Sequence, residues 1–386
     1  MTPDDLPRPD LSEADRAALA RMHAVEPVWR GLVLARDGLA FPGRTILHAG
    51  PPVDLADLAR PILNSAVMAA LFEGWARDAA DAEARILSGD IRLAPAQDHG
   101  AMVPLAAVLS PNMMAHRVVD RRDPARAVLA PLNGGMARAQ RLGLAGPDIL
   151  QHLRWINGDL AATLAIVADR DVPLLPVADQ ALTEGDDCHG RTMAGTRLVI
   201  AAIADRLGMD TPERRFLDGA PGFFLTLWMA AVGCMAQAAQ GPGTTLITAM
   251  GANGVTAGVK LGGAPDRWIM APATPPDGAL VEGARPEDRL GAIGDSALVD
   301  ALGFGAMLTP HGPLPRERLL PRVHPSLPLS GARVGLPAAT LVLPGAEMRV
   351  ALGILDCTGR RGRIGGGLYA PAASLFSAAL EALAPA

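Results

Sequence analysis

Seven consecutive residues, Gly185-Asp186-Asp187-Cys188-His189-Gly190-Arg191, gather two carboxylates, a thiol, an imidazole and a guanidinium between glycines. That mixture suits proton transfer, metal ligation or the clamping of an anion. A solvated loop leading into the helical run near Met193 is the plain alternative. The cluster does not make a tetrahedral metal site by itself, because Cys188 and His189 are adjacent and ligands in one loop need residues between them to converge. His99 or His48 would have to complete it, so a metal at Cys188, His189 and His99 is the weaker reading and no cofactor is expected. A nucleophilic Cys188 would need a nearby base and a lowered pKa, and the sequence marks neither.

Other segments carry related chemistry. His48 ends a short strand before Gly50-Pro51-Pro52, a position that suits a catalytic group or a ring that merely bonds a neighbouring carbonyl. Asp98-His99-Gly100 has the residue types of a carboxylate-oriented imidazole. Adjacent turn residues rarely point together, so Asp187 or Asp186 is the expected partner of His99. Three glycine-rich turns could cradle an anion through backbone N–H groups: Asn133-Gly134-Gly135, Gly251-Ala252-Asn253-Gly254, and Gly359-Arg360-Arg361-Gly362-Arg363-Ile364-Gly365-Gly366-Gly367. The third adds three arginines, whereas Asn253-Gly254 is equally a favoured hairpin turn. Asp295 or Ser296 is expected to cap the apolar run Leu298–Met307, and the lack of a closing glycine argues against a serine nucleophile. Lys260 is the sole lysine, which excludes a P-loop and makes it the one possible Schiff-base residue.

These residues need elements to position them. The pattern predicts a helix and short strand within 11–38, a strand over Arg44–His48, and one amphipathic helix over Leu63–Ser88 closed by Gly89. Strands follow at Ile91–Pro95 and Ala106–Leu109. Helical spacing then dominates Ile149–Ala168, Met193–Leu207 and Phe223–Ala239. Beyond Gly241 short strands and glycine-proline turns take over, with a last helix over Ala372–Leu383, and Pro310–Pro344 is expected to be a long surface connection. The expected class is α+β: two mixed α/β regions, 1–135 and 241–386, separated by a mostly helical region, 136–240.

With 386 residues, 49% of them hydrophobic, the chain can bury more than one core. The net charge of −5 and scattered basic residues argue against nucleic acid. Three separated cysteines suggest a reducing compartment, and Met1–Asp10 lacks the pattern of a signal peptide, so a cytoplasmic protein is expected. The uncharged stretch from Gly219 to Val259 reads as a buried helix and strand, because its helical part is shorter than the roughly 20 residues of a membrane span.

Taken in order, His48-Ala49-Gly50-Pro51-Pro52, the Asp98-His99 turn, Ser110-Pro111-Asn112-Met113, Gly185-Asp186-Asp187-Cys188-His189, Thr248-Ala249-Met250 with Asn253-Gly254, Ile293-Gly294-Asp295-Ser296-Ala297 and Ile364-Gly365-Gly366-Gly367 resemble the YlbE-like family of bacterial proteins. The resemblance covers roughly residues 40 to 375. It implies a subunit acting beside an FdrA-like protein, itself similar to acyl-CoA synthetases, in purine-ring and allantoin nitrogen catabolism. The implied reaction is oxamate carbamoyltransferase, in which oxalurate and phosphate give oxamate and carbamoyl phosphate. On that footing Asp187, His189 and His99 would form the catalytic centre with His48 nearby. Arg191, Asn253, Arg360, Arg363, Gly365 and Gly366 would hold the small anionic ureido or carbamoyl substrate, within an oligomeric assembly. A scaffold subunit without chemistry, or a metal-dependent amidohydrolase, are the alternatives. Gly190 and Gly100 depart from the polar residues usual in the family at those places.

Overall fold

The helix over Phe223–Ala239 carries apolar residues on all sides and is buried along nearly its whole length. In the computed structural model, which describes residues 11–165, 170–208, 210–308 and 348–383, it packs against two antiparallel sheets and the helix Glu13–Ala24. The first sheet runs in the order Ala127–Pro131, Met114–Asp120, Pro27–Leu34, Val172–Pro173. The second runs Ile269–Pro272, Thr256–Leu261, Ile247–Asn253, Ile293–Gly294. A third antiparallel sheet pairs Arg363–Tyr369 with both Asp277–Leu280 and Val350–Leu355. In a fourth, Thr45–His48 lies parallel to Arg92–Pro95 and antiparallel to Val108–Leu109. The parallel pair requires a crossover, which the helices between those strands supply.

The class is α+β, as the segregation of helical and strand patterns predicts. One core surrounds the Phe223–Ala239 helix. The other lies around the helix Arg60–Phe72 and includes Ile46, Leu47, Ile62, Leu129 and Leu355. Both draw residues from either side of residue 135 and from either side of residue 240. Among the described residues no single helix is long and apolar enough to cross a membrane. The bent pair Pro212–Asp218 and Phe223–Ala239 passes by length and composition alone, and its longer member is the buried core helix.

Two predicted elements are shorter than expected. The single helix over Leu63–Ser88 is two, Arg60–Phe72 and Ala79–Leu87. The break has a tertiary cause: Glu73 accepts from the Ser110 hydroxyl at 2.6 Å and the Asn112 N–H at 2.7 Å. Asp78 then caps the second helix through the Asp81 N–H at 2.9 Å. The helix expected over Leu298–Met307 spans only Ala297–Ala301, followed by a 3₁₀ turn at Gly305–Leu308. No side chain caps it, because the Asp295 carboxylate is used elsewhere. The Pro310–Pro344 connection lies outside the described residues.

A close approach of two backbones sets the fourth sheet against the second. A Cβ on Gly50, whose φ is +78°, would lie 2.4 Å from the carbonyl carbon of Ala252, and one on Gly251 would lie 2.7 Å from the Asp295 carboxylate. Only glycine fits at either point.

Candidate functional site

The Gly185–Arg191 segment folds around its own carboxylates. Asp187 accepts from the backbone N–H groups of His189 and Arg191, each at 2.9 Å, and the Arg191 guanidinium closes on it at 3.3 Å. Asp186 accepts from the Gly195 N–H at 2.8 Å, taking an orphan donor of the helix Met193–Ile203. Cys188 is buried with a left-handed φ of 63°, and its thiol faces the Ala178 carbonyl at 3.9 Å. Burial, with the nearby Asp186 and Asp187 charges, pushes that thiol well up, so it is a packed residue and not a nucleophile.

This strained turn aims the buried His189 into a cavity of about 310 Å³. The cavity is lined by Pro104 and Leu105 from the first part of the chain, Arg141, His189, Thr192 and Gly222 from the middle, and Ser296, Gly353, Arg363, Gly366 and Gly367 from the last. Leu105, with φ 51°, is the other non-glycine residue with a left-handed backbone among those described, so both strained residues belong to the cavity wall or adjoin it.

The partner of His189 is Asp300, not Asp187 or His99. Nδ1 of His189 bonds Oδ2 of Asp300, which is fully buried in the helix Ala297–Ala301. Oδ1 of Asp300 accepts from the Ala306 N–H at 2.7 Å and the Ala351 N–H at 3.2 Å. Gly305 makes room for the pair, since a Cβ there would meet the Asp300 carboxylate at 2.5 Å and the His189 side chain at 2.8 Å. Burial alone would lower the imidazole pKa, but the charge and hydrogen bond of Asp300, with the Asp187 charge, raise it. Burial also pushes Asp300 upward. Its two backbone donors favour the ionised carboxylate, so the pair leans toward imidazolium and carboxylate. Nε2 of His189 has no hydrogen-bond partner among the described residues.

Two guanidiniums share the cavity without a carboxylate among the described residues. Arg141 is 7% exposed. It spends its Nε on the Gly135 carbonyl at 2.8 Å and one terminal nitrogen on the Met136 sulfur at 2.8 Å. Burial, then the charge of Arg363, lowers its pKa to about 10, so it remains a cation at neutral pH. Arg363 is exposed and bonds the Gly365 carbonyl through Nε at 2.8 Å. A neutral-pH cavity with two unneutralised cations attracts an anion.

The other candidate residues stand elsewhere. His48 is buried, bonds the Ala49 carbonyl through Nδ1 at 2.8 Å, and is lowered to about 4 by burial. His99 is half-buried in the turn Ala96–His99 and does not line the cavity, whereas its neighbour Asp98 pairs with Lys260 at 2.5 Å and Trp268 at 2.9 Å. Asn253 holds its own hairpin, accepting from the Thr256 N–H at 2.8 Å and donating to the Pro51 carbonyl at 3.1 Å. The arginine-rich loop does wrap an anion, but the anion is its own Asp356. That carboxylate accepts from the Arg360 N–H at 2.9 Å, the Arg361 N–H at 3.0 Å and the Thr358 hydroxyl at 2.6 Å. The Arg360 side chain is exposed, Gly365 supplies the carbonyl that orients Arg363, and Gly366 lies in the cavity wall. Among the described residues no three His, Cys, Asp or Glu side chains are grouped to hold a metal.

Sequence reasoning missed Arg141 and Asp300. The available signal was weak in both: an arginine just after the Asn133-Gly134-Gly135 turn, and a single acid inside an apolar helix. Asp295 is buried behind the cavity and accepts from the Gly50 N–H at 2.8 Å, the Val103 N–H at 2.9 Å and Gln97 Nε2 at 2.8 Å. Burial nevertheless raises its carboxyl to about 7 from 3.8. Because the folded value exceeds the unfolded one, the folded state holds this proton from pH 3.8 up to about 7 and the unfolded state does not. This contribution to stability is therefore full below the unfolded value and lost as pH rises through the folded one. Urea midpoints of the parent chain, measured against Asp295→Asn, are expected to diverge across that window and run parallel above pH 8; parallel curves throughout would remove Asp295 as the cause.

A family profile described as the oxamate carbamoyltransferase subunit AllG matches residues 91–296, just over half of the chain. The oxamate carbamoyltransferase subunit AllG of Escherichia coli K12 is 28% identical over 97% of this chain and 98% of its own. The uncharacterised protein YahG of the same organism is 31% identical over 76% of this chain and 65% of its own. A crystal structure of a conserved Enterococcus faecalis V583 protein of unknown function superposes with a TM-score of 0.87 at 26% identity, covering 96% of this chain and 97% of that one. The matched profile holds Arg141 and His189, while Asp300 and Arg363 lie beyond its end. The chain belongs to the AllG family of oxamate carbamoyltransferase subunits.

Proposed function

We propose that the chain supplies the carbamoyl-transfer site of an oxamate carbamoyltransferase-type complex, working with an FdrA-like partner in the cytoplasm. The observation that carries this reading is the cavity in which the uncompensated Arg141 and Arg363 share walls with a carboxylate-backed histidine. The substrates are both anions. A phosphate oxygen attacks the ureido carbon of oxalurate, the bond from that carbon to the amide nitrogen breaks, and the nitrogen takes the proton released by hydrogen phosphate. The products are carbamoyl phosphate and oxamate, with total charge unchanged.

Each residue's part follows from its surroundings. Arg141 and Arg363 hold the anionic ends and offset charge gathering in the transition state. The protonated Nε2 of His189 gives its proton to the departing nitrogen and is reprotonated from the phosphate, with Asp300 fixing the ring and its charge. Glycines at 190, 222, 366 and 367 let the substrate approach the backbone closely.

The direct test is phosphate-dependent cleavage of oxalurate, following carbamoyl phosphate, by the chain with and without its FdrA-like partner. Product formed when both are present and lost in His189→Gln with the complex still assembled supports a catalytic subunit; product unchanged by that substitution would leave the scaffold reading. Phosphate and oxamate binding by calorimetry adds a second check. Arg141→Met should weaken either by about tenfold to a hundredfold, the worth of one charged hydrogen-bonding group, and Arg363→Met by less because it is exposed. Unchanged affinity in both variants would take the anion out of this cavity.

A further inference from the structure

We infer that a second cavity, of about 430 Å³, binds a small carboxamide through Lys260, Asp98 and Gln237. Lys260 is 6% exposed and lies on the strand Thr256–Leu261. Its ammonium pairs with Asp98 Oδ1 at 2.5 Å and sits 5.0 Å from the Trp268 ring centroid. An ammonium has three donors, and two of these find no acceptor among the described residues. Leaving them unfilled at a buried cation is costly, and Lys260 is part of the cavity wall.

The neighbouring groups define the complement. Asp98 Oδ1 is already shared by Lys260 and the Trp268 indole N–H at 2.9 Å, but Oδ2 accepts from nothing among the described residues. Among the described residues Thr248, 5% exposed and part of the cavity wall, has a buried hydroxyl with no partner, and the Gln237 amide there is also unpaired. The site thus offers donors beside an acceptor at short range, the pattern met by the C=O and NH₂ of one carboxamide. Its charge points the same way. One ammonium faces the carboxylates of Asp98 and Asp266, a net negative balance that repels phosphate, opposite to the cavity at Arg141 and Arg363.

The two cavities are separate. Met102 and Leu298 face the second, Leu105 and Ser296 the first, and Asp295 ties the dividing segments together by accepting from Val103 and Gln97. This inference does not depend on the reaction proposed for the first cavity.

Because Lys260 is the sole lysine, full-length protein grown with ¹³C,¹⁵N-lysine gives one lysine spin system. Titration with acetamide, a neutral amide, is expected to move its side-chain signals saturably, and inorganic phosphate is expected to leave them in place. The shifts should persist in Arg141→Met, and Gln237→Leu should weaken the acetamide response about tenfold, the loss of roughly one hydrogen bond to a ligand. The inference is overturned by a lysine signal unmoved by acetamide, by equal movement with phosphate, or by loss of the response in Arg141→Met, which would assign it to the first cavity.

Discussion

Replacing His189 by glutamine is expected to lower carbamoyl phosphate formation by about 10²- to 10⁴-fold, the usual contribution of a positioned general acid. Glutamine keeps a polar head that can still bond Asp300, so the fold and the two guanidiniums remain. Phosphate binding should then stay close to that of the parent chain, because the anion is held by Arg141 and Arg363 and not by the imidazole. That split between binding and turnover is the diagnostic. Retained turnover in His189→Gln would mean that the departing nitrogen takes its proton from another source, and lost phosphate binding would mean that the imidazolium is itself an anion ligand.

The second large effect is on stability. Asp300→Ala removes a fully buried carboxylate that serves His189, the Ala306 N–H and the Ala351 N–H. Breaking a buried pair in this way costs about 3 to 5 kcal/mol, because the remaining partner is left charged and unsolvated. Urea unfolding should register that loss, and Asp300→Asn, which keeps an acceptor, should lose less. A loss of under about 1 kcal/mol for the alanine variant, typical of an exposed ion pair, would contradict the burial argument. The pH dependence has a fixed sign. With its folded pKa raised above 6.5, His189 contributes stability that is fully present below the unfolded value and disappears as pH rises through the folded one. Asp300→Asn removes the larger of the two charges that oppose burial and leaves only that of Asp187, so this limb should move to lower pH.

What could be read from the sequence was what is local. The Phe223–Ala239 helix announces itself through an uncharged, largely apolar run, and Gly89 marks a helix end by its left-handed backbone. The Gly185–Arg191 cluster stood out because its functional groups are contiguous. The partner that gives His189 its character lies 111 residues away in a helix that looks wholly structural, and no local pattern links the two. Arg141 is hidden among many arginines, since its significance comes from the absence of a nearby carboxylate. The Gly359–Gly367 loop failed in the opposite way. Its glycines and arginines do form an anion cradle, but Asp356, next to it in sequence, fills the cradle. The break at Glu73 was invisible because helical periodicity runs on past it, and only the contact with Ser110 and Asn112 ends the helix there.

The cavity at His189 takes its walls from residues as early as Pro104 and as late as Gly367. An anion bound there therefore has no counterpart site in a partly assembled chain, and its binding free energy is available only to the complete arrangement. At a hundred times its dissociation constant, such a ligand would add about 2.7 kcal/mol to global unfolding. Amide exchange should slow together in the segments around Arg141, His189 and Arg363 rather than in one of them, so that the bound anion acts as a clasp on the cooperativity of the whole protein.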